Sequence, residues 1–161
     1  TDLTRYAADT LAVLGVIGRL PREAFVPEGQ RALAYADIEL PLGHGVRMMK
    51  PVVEGRMLQA LALQPGDSVL EVGTGSGYVT ACLGELAREV VSIEIQPELA
   101  AAARRHLDAA RLGTNVRIET AAELPVEPYA ARGAVGNLLL IDQASGNTLA
   151  AGFVGHRLRG E

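Results

Sequence analysis

The sequence predicts an α/β fold built around a parallel β-sheet, and three observations support that prediction. Between residues 68 and 120, short apolar stretches rich in β-branched residues alternate with stretches of helical periodicity. Three closely spaced glycines follow directly after the first apolar stretch. The length of 161 residues, with 48% hydrophobic and 21% charged residues, is typical of one packed domain. The order strand, helix, strand, helix, strand implies parallel pairing through right-handed crossovers, so the core is predicted to be Rossmann-like.

The boundaries of the predicted elements follow from residues that usually begin or end helices. Pro65-Gly66-Asp67 predicts a turn, Pro97 suits a first helical turn, and Gly113 is expected to end the helix that Pro97 begins. The predicted elements are helix 54–64, strand 68–72, helix 78–87, strand 89–95, a helix from residue 97 and strand 115–120. Residues 54–125 are therefore predicted to form the core unit, with helices on both faces of the sheet.

Residues 1–53 are predicted to form helices and a long loop in front of this unit. A helix is predicted over 2–17, and its apolar side chains at helical spacing are Leu3, Tyr6, Ala7, Leu11 and Leu14. Pro21 is placed to open a helical turn and Pro27 to close it. Residues 35–53 have no clean period and predict an irregular connection, a kind of segment that often carries function.

Residues 126–161 form a predicted β-rich tail with a different pattern. The apolar run at 137–141 suits a buried strand, Ser145-Gly146-Asn147 predicts a turn, and 148–154 is the expected partner strand. All three regions are expected to belong to one compact domain.

Composition and charge argue against several classes of function. The net charge is −4 and only 4% of residues are aromatic, which disfavours a nucleic-acid partner. The longest apolar run, 11–17, is too short to cross a bilayer, so no membrane association is expected. Cys82 is the one cysteine of the sequence, which excludes an internal disulfide and fits a cytoplasmic protein.

The sequence predicts no metal site. His44, His106 and His156 are far apart and show no metal-ligand spacing with Cys82. Cys82 is expected to be a small core residue, with a reactive thiol as the alternative.

The glycine-rich stretch carries the chemistry of the sequence. Gly73, Gly75 and Gly77 let the backbone turn sharply after the first strand and expose N–H groups at a helix start. Glu94 lies 21 residues after Gly73, which is about the separation expected for an acid that binds ribose hydroxyls. The spacing is G-x-G-x-G, and Tyr78 stands where a dinucleotide fingerprint has its third glycine. The combination predicts a nucleoside site; a tight turn without a ligand is the alternative.

The stretch Glu71-Val-Gly-Thr-Gly-Ser-Gly77 resembles the cofactor motif of class I S-adenosylmethionine-dependent methyltransferases. More specifically, the chain resembles the protein-L-isoaspartate O-methyltransferase family over about residues 10–120. The supporting stretches are Leu20-Pro-Arg-Glu-Ala-Phe-Val-Pro27, Ala34-Tyr-Ala-Asp-Ile-Glu-Leu-Pro-Leu-Gly-His-Gly45, Lys50-Pro51 and Ser92-Ile-Glu-Ile95.

The resemblance implies S-adenosyl-L-methionine as the cofactor. It places the three glycines against the methionine and ribose parts, Glu71 at the amino end and Glu94 at the ribose diol. The full set of implied cofactor-binding residues is Glu71, Gly73, Thr74, Gly75, Ser76, Gly77, Glu94 and Ile95. The implied substrate is a peptide or protein that contains an isoaspartyl residue.

Two positions depart from the family pattern. Met49 stands where the family has a serine placed at the reacting carboxylate, so no catalytic residue is assigned. Ala122 replaces an acid near the adenine, with Glu123 one position away. Arg47 and Lys50 are candidates to attract a substrate carboxylate, and the alternative is that both are solvated loop cations.

The tail resembles another protein. Residues 128–154 resemble the last barrel strands of the elongation-factor-like GTPase subunit of sulfate adenylyltransferase, although the sequence has no phosphate-binding G-x-x-x-x-G-K-[ST] loop. The sheet is therefore expected to be truncated or atypical after its third or fourth strand, and a natural divergent form, a truncation and a fusion of two unrelated pieces remain alternatives. An unpaired sheet edge would favour a homo-oligomer.

These observations leave three hypotheses. The first is a methyltransferase that methylates a carboxylate of damaged aspartyl residues. The second is a catalytically impaired S-adenosyl-binding or interaction module. The third, an NAD-linked oxidoreductase, is disfavoured by Tyr78 and by the lack of a candidate acid or base for hydride transfer.

Overall fold

The computed structural model of the chain describes residues 2–120, 136–141 and 148–154. Predictions for Ala122, Glu123, His156 and the turn at 145–147 lie outside the described residues. The helices are α1 (Asp2–Arg19), α2 (Pro51–Leu61), α3 (Tyr78–Leu86) and α4 (Pro97–Ala109), with 3₁₀ helices at Arg22–Phe25 and Glu28–Leu33. The strands are β1 (Leu40–Gly43), β2 (Val46–Met48), β3 (Ser68–Val72), β4 (Glu89–Glu94), β5 (Val116–Thr120), β6 (Gly136–Ile141) and β7 (Thr148–Val154).

The predicted parallel sheet is confirmed. Strands β3, β4 and β5 pair in chain order, all parallel, with Val72 opposite Ile93 and Glu94 opposite Thr120. Because both crossovers advance in the same direction, right-handed connections place α3 and α4 on one face of the sheet. The carboxyl ends of β3 and β4 therefore meet at one edge of the sheet, where the glycine turn begins.

The face covered by α3 and α4 is buried, and it includes polar residues. Val69 and Glu71 on β3 and Ser92 and Glu94 on β4 are all buried. On the opposite face Leu70 is 38% exposed. Helices were predicted on both faces of the sheet. Within the described residues, α3 and α4 cover one of these faces.

Helix α1 forms where it was predicted, but its predicted apolar face points to solvent. Leu3 is 83% exposed and Leu11 is 68% exposed. The helix packs instead through Val13 and Val16, which are buried together with Leu20, the residue that follows the helix. Since α1 carries two apolar stripes and contacts both α2 and α3, periodicity alone cannot tell which stripe faces the core.

The segment 35–53 is more regular than predicted, so the interpretation as an irregular connection was wrong. β1 and β2 form an antiparallel hairpin. Its turn is Gly43-His44-Gly45, in which all three residues have positive φ, at 91°, 52° and 73°. Helix α2 starts at Pro51, in the first turn that proline favours, three residues earlier than predicted.

The two strands predicted in the tail are confirmed. β6 and β7 pair antiparallel as a separate two-stranded sheet, with Leu139 opposite Ala151. In the residues that the structure describes, no helix combines the length and the apolar character that a membrane span requires.

Candidate functional site

The glycine turn connects β3 to α3 through backbone conformations that favour glycine. The φ angles are 94° at Gly73, 54° at Gly75 and 83° at Gly77, all in the left-handed region. The Gly73 amide donates to the carbonyl of Ile93 at 2.8 Å, which continues the parallel pairing one residue past β3. A Cβ atom at Gly73 would meet nothing within 4 Å, so this part of the turn faces open space. A ligand can therefore approach the backbone here.

Gly77 serves a different purpose, because helix α4 lies against it. A Cβ atom built on Gly77 would stand 2.9 Å from the Cβ of Ala103. The need for glycine at this position therefore comes from helix packing as well as from the positive φ. At Gly75 the nearest atom to a built Cβ is a methyl of Leu42, at 3.5 Å, so the β1–β2 hairpin lies over the middle of the turn.

The structure brings Glu94 and the glycine turn together. Glu94 ends β4 and is only 4% exposed. Its Oε2 accepts a hydrogen bond from the Gly75 amide at 2.8 Å, and its Oε1 accepts one from the Gln96 amide at 3.0 Å. Each carboxylate oxygen has two acceptor sites, so Glu94 keeps capacity for further donors such as hydroxyl groups.

Glu71 lies beneath the turn, in a buried hydrogen-bond network. Thr80 Oγ1 and Ser92 Oγ both donate to Glu71 Oε2, each at 2.5 Å. The Thr74 hydroxyl lies 2.6 Å from that of Ser92. Burial, with a smaller contribution from the negative charge of Glu94, raises the pKa of Glu71 to about 7 against the lowering effect of the two hydroxyl donors. Glu71 is only 7% exposed, so most of its side chain is buried. Its contact with the amino end of the cofactor remains a prediction.

The remaining predicted cofactor residues differ in the exposure of their side chains. The side chains of Thr74 and Ser76 are buried, at 4% and 8% exposure. His106 on α4 places its Nδ1 2.9 Å from the carbonyl of Ser76 and so holds the turn from the helix side. Ile95 is 38% exposed directly after Glu94 and offers apolar surface beside it.

Behind the turn lies an N-terminal layer that comprises Arg22, Phe25, Ala34, Met49 and Glu54, with Arg22 at its centre. Its guanidinium donates to both oxygens of Glu54, from Nε at 2.9 Å and from Nη2 at 3.2 Å. It also donates to the carbonyls of Ala34 and Met49. Tyr78 is buried against Phe25, with ring centroids 5.6 Å apart, so its side chain faces this layer and not the turn.

The loop residues proposed for substrate contact occupy different surroundings. The carbonyl of Met49 is held by Arg22 at 2.7 Å, while its side chain is half-buried. Arg47 forms an ion pair with Glu39 at 3.3 Å, and both side chains are about half exposed, which favours the interpretation of Arg47 as a solvated cation. Lys50 is exposed at the start of α2.

The prediction that Cys82 is a core residue is confirmed. Its thiol is fully buried on α3, and burial raises its pKa to about 12. Among the described residues, no group of three or more His, Cys, Asp or Glu side chains is arranged to hold a metal ion.

Sequence reasoning did not foresee the contacts of Ser92, Thr80 and His106. Ser92 could have been found, because it lies two residues before Glu94 and strand alternation places both on one face. His106 could not, because its contact with the turn depends on how α4 packs against Gly77.

The parallel sheet, the glycine turn and the acid at the end of the next strand define a chain with the class I methyltransferase fold. A solved structure described as a protein-L-isoaspartate O-methyltransferase matches with a TM-score of 0.59 and 24% identity, over 69% of this chain and 37% of that one. A Plasmodium falciparum structure, described as a protein of this type in complex with S-adenosyl-L-homocysteine, matches with a TM-score of 0.64 and 16% identity, over 89% and 86%. At these identities the two structures support the fold alone.

The chain belongs to the protein-L-isoaspartate(D-aspartate) O-methyltransferase family, whose family model matches residues 3–124. The protein-L-isoaspartate O-methyltransferase of Myxococcus xanthus is 51% identical over 105 residues, which is 65% of this chain and 50% of that protein. The one from Methylorubrum populi is 45% identical over 118 residues, 73% of this chain and 56% of that protein. The chain thus spans about half the length of the curated relatives that it matches.

Proposed function

We propose that the chain binds S-adenosyl-L-methionine at the glycine turn and transfers its methyl group to a carboxylate of an isoaspartyl residue in a protein. The observation that carries the proposal is the Glu94 carboxylate, 2.8 Å from the Gly75 amide in the same turn as Gly73, whose backbone is open to approach. Family membership and the names of the relatives support the reaction. The Plasmodium falciparum structure, which shares the fold, is described in complex with S-adenosyl-L-homocysteine, so this fold accommodates the proposed cofactor.

The residues of the turn fit an adenosyl group. In this proposal Glu94 accepts hydrogen bonds from the two ribose hydroxyls, and its charge would repel a 2′-phosphate; its position beside the Gly75 amide supports that role. Gly73 leaves the approach to the backbone free of side-chain atoms. Ile95 offers apolar surface next to Glu94. The proposed cofactor residues are therefore those of the turn 73–77 together with Glu71, Glu94 and Ile95.

The proposed reaction needs positioning more than acid–base catalysis. S-adenosyl-L-methionine supplies an electrophilic methyl group on a sulfonium. The isoaspartyl carboxylate is already ionised at neutral pH, so no general base has to remove a proton. Its oxygen forms the new bond to the methyl carbon while the bond from carbon to sulfur breaks and its electron pair stays on sulfur. The protein's contribution is to align the two groups and to exclude water.

The second candidate function is a binding module with impaired catalysis, and Met49 is the residue that favours it. A methionine cannot donate the hydrogen bond of the family's serine to the acceptor carboxylate. Loss of one positioning contact can slow transfer by about 10²-fold through misplacement. The proposal of activity and the proposal of binding therefore require separate tests.

Binding is tested by calorimetric titration of the chain with S-adenosyl-L-homocysteine and, separately, with NAD. We expect binding of the first and no heat from the second. Tighter binding of NAD would instead support the oxidoreductase hypothesis.

Activity is tested with labelled S-adenosyl-L-methionine and an isoaspartyl peptide. Met49→Ser is expected to raise the rate of methyl transfer, and Met49→Ala is the matched control because it removes the methionine without supplying a hydroxyl. If the chain binds cofactor but none of the three proteins transfers the methyl group, the binding-module candidate is favoured.

A further inference from the structure

Ser92 occupies a junction between the sheet and the glycine turn. Its hydroxyl donates to Glu71 Oε2 at 2.5 Å and lies 2.6 Å from the hydroxyl of Thr74. Thr74 belongs to the turn, Glu71 to β3 and Ser92 to β4. One hydroxyl therefore joins two adjacent strands to the loop that follows the first of them.

The direction of these hydrogen bonds is fixed by the carboxylate. An ionised Glu71 can only accept, so Ser92 must use its one proton toward Glu71. The oxygen of Ser92 is then left to accept the proton of Thr74. If Glu71 takes up a proton, the chain of donors can run in the opposite direction, because each hydroxyl both donates and accepts. The link from Thr74 to Ser92 persists in either state.

The burial of this junction means that water cannot replace it. Ser92 has 0% exposure and Thr74 has 4%. A buried hydroxyl that loses its partner carries the full cost of desolvation, whereas an exposed one would turn to solvent. The conformation of Thr74 is thus tied to Ser92, and the next residue along the chain, Gly75, donates its amide to Glu94.

We propose that Ser92 is a positioning residue for the cofactor turn: through its hydrogen bond with Thr74 it holds the Gly75 amide and the backbone beside it in place against Glu94. The inference rests on the proposed function, since it assumes that the turn binds the adenosyl group. Ser92 contacts no ligand in this scheme and acts through Thr74.

Thr80 provides a matched control for this role. Like Ser92, it is fully buried and donates to Glu71 Oε2 at 2.5 Å. Both hydroxyls lower the pKa of Glu71, so removal of either one changes the electrostatics of that carboxyl in the same direction. The structure gives Thr80 no hydrogen bond to Thr74, so only Ser92 connects Glu71 to the turn within the described residues.

The experiment is a calorimetric titration of S-adenosyl-L-homocysteine into the wild type, Ser92→Ala and Thr80→Val, at pH 6 and pH 8.5. We expect Ser92→Ala to raise Kd about tenfold, which corresponds to the loss of about 1.4 kcal/mol. Thr80→Val should stay within about twofold of the wild type. The Ser92→Ala loss should be similar at the two pH values, because the link to Thr74 exists with Glu71 charged or neutral.

A second pair of variants tests the other end of the link and covers the case in which Ser92→Ala fails to fold. Thr74→Val removes the hydroxyl at nearly constant volume, and Thr74→Ser keeps it. We expect Thr74→Val to bind at least about fivefold more weakly than Thr74→Ser. When combined with Ser92→Ala, Thr74→Val should add little further loss, because both changes break one hydrogen bond.

Three results would overturn the inference: unchanged affinity in Ser92→Ala, an equal loss in Thr80→Val, or a loss in Ser92→Ala that appears at only one of the two pH values. Equal affinity of Thr74→Val and Thr74→Ser would overturn it as well. If the wild type itself does not bind S-adenosyl-L-homocysteine, the proposed function fails, which is a distinguishable outcome.

Discussion

Replacement of Arg22 by methionine should lower the free energy of unfolding by more than replacement of an exposed residue would. Arg22 is 1% exposed and donates to the Glu54 carboxylate and to the carbonyls of Ala34 and Met49. Glu54 is equally buried, at 1%. Arg22→Met keeps much of the apolar stem, so the loss comes mainly from the guanidinium.

The size of the effect follows from what the substitution leaves behind. A buried carboxylate without its partner typically costs 3–5 kcal/mol of stability, so we expect a loss of about that size in Arg22→Met. Arg22→Met combined with Glu54→Leu removes the orphaned charge and leaves only the two carbonyls without a donor. The free energy of unfolding of the double variant should therefore lie within about 1–3 kcal/mol of the wild-type value.

The pH dependence supplies an independent check on the same pair. Burial raises the pKa of Glu54, and the hydrogen bond and charge of Arg22 oppose that rise. Without Arg22 the folded-state pKa of Glu54 rises further above its unfolded value. A raised carboxyl pKa contributes stability that is present at low pH and lost as the pH rises through the folded pKa. The stability that Arg22→Met loses relative to the wild type should thus become smaller as the pH falls from 7 toward 4.5.

The assay is urea denaturation of the three proteins at several pH values, followed by circular dichroism. A loss below about 1 kcal/mol in Arg22→Met, or a deficit that grows at acidic pH, would refute the reasoning.

Three further predictions concern the site itself. Glu71 has a folded pKa of about 7 against an ordinary value of 4.5. The free energy of unfolding of the wild type should therefore fall by up to about 3 kcal/mol relative to that of Glu71→Gln as the pH rises from 4.5 to 7, which urea denaturation across that range measures. Gly77→Ala should lower the free energy of unfolding by about 1–3 kcal/mol, because the new Cβ would stand 2.9 Å from that of Ala103 at a φ of 83°. Gly73→Ala should lower it by only about 1 kcal/mol, through backbone strain, and thermal melting compares the two variants. Glu94→Ala should weaken binding of S-adenosyl-L-homocysteine at least about tenfold, and an unchanged Kd in calorimetry would remove Glu94 from the site.

The parallel unit could be predicted from the sequence because each of its elements has a local signal. Strand β3 was placed at 68–72 with the boundaries that the structure shows, since Pro65-Gly66-Asp67 precedes it and Gly73 follows it. The sequence predicted that the glycine turn and Glu94 belong to one site, and parallel topology explains why they lie together, because it brings the carboxyl ends of neighbouring strands to one edge.

The rest depended on tertiary contacts that leave no local signal. The hairpin of β1 and β2 is short, and Pro41 with two nearby glycines obscured its alternation. The apolar stripe of α1 at Leu3 and Leu11 is as periodic as the stripe at Val13 and Val16, and only the position of α2 and α3 decides between them. For Ser92, strand alternation indicates the face that it shares with Glu94, but its hydrogen bonds to Glu71 and Thr74 depend on side-chain directions in two strands and the turn.

The most direct measurement of the proposed site is a crystal structure of the chain grown with S-adenosyl-L-homocysteine. We expect both ribose hydroxyls within hydrogen-bond distance of the Glu94 carboxylate and the homocysteine part along the backbone from Gly73 to Gly75. Ligand density elsewhere on the protein, or a turn closed by Leu42 with no ligand against Glu94 at saturating concentration, would contradict the proposal.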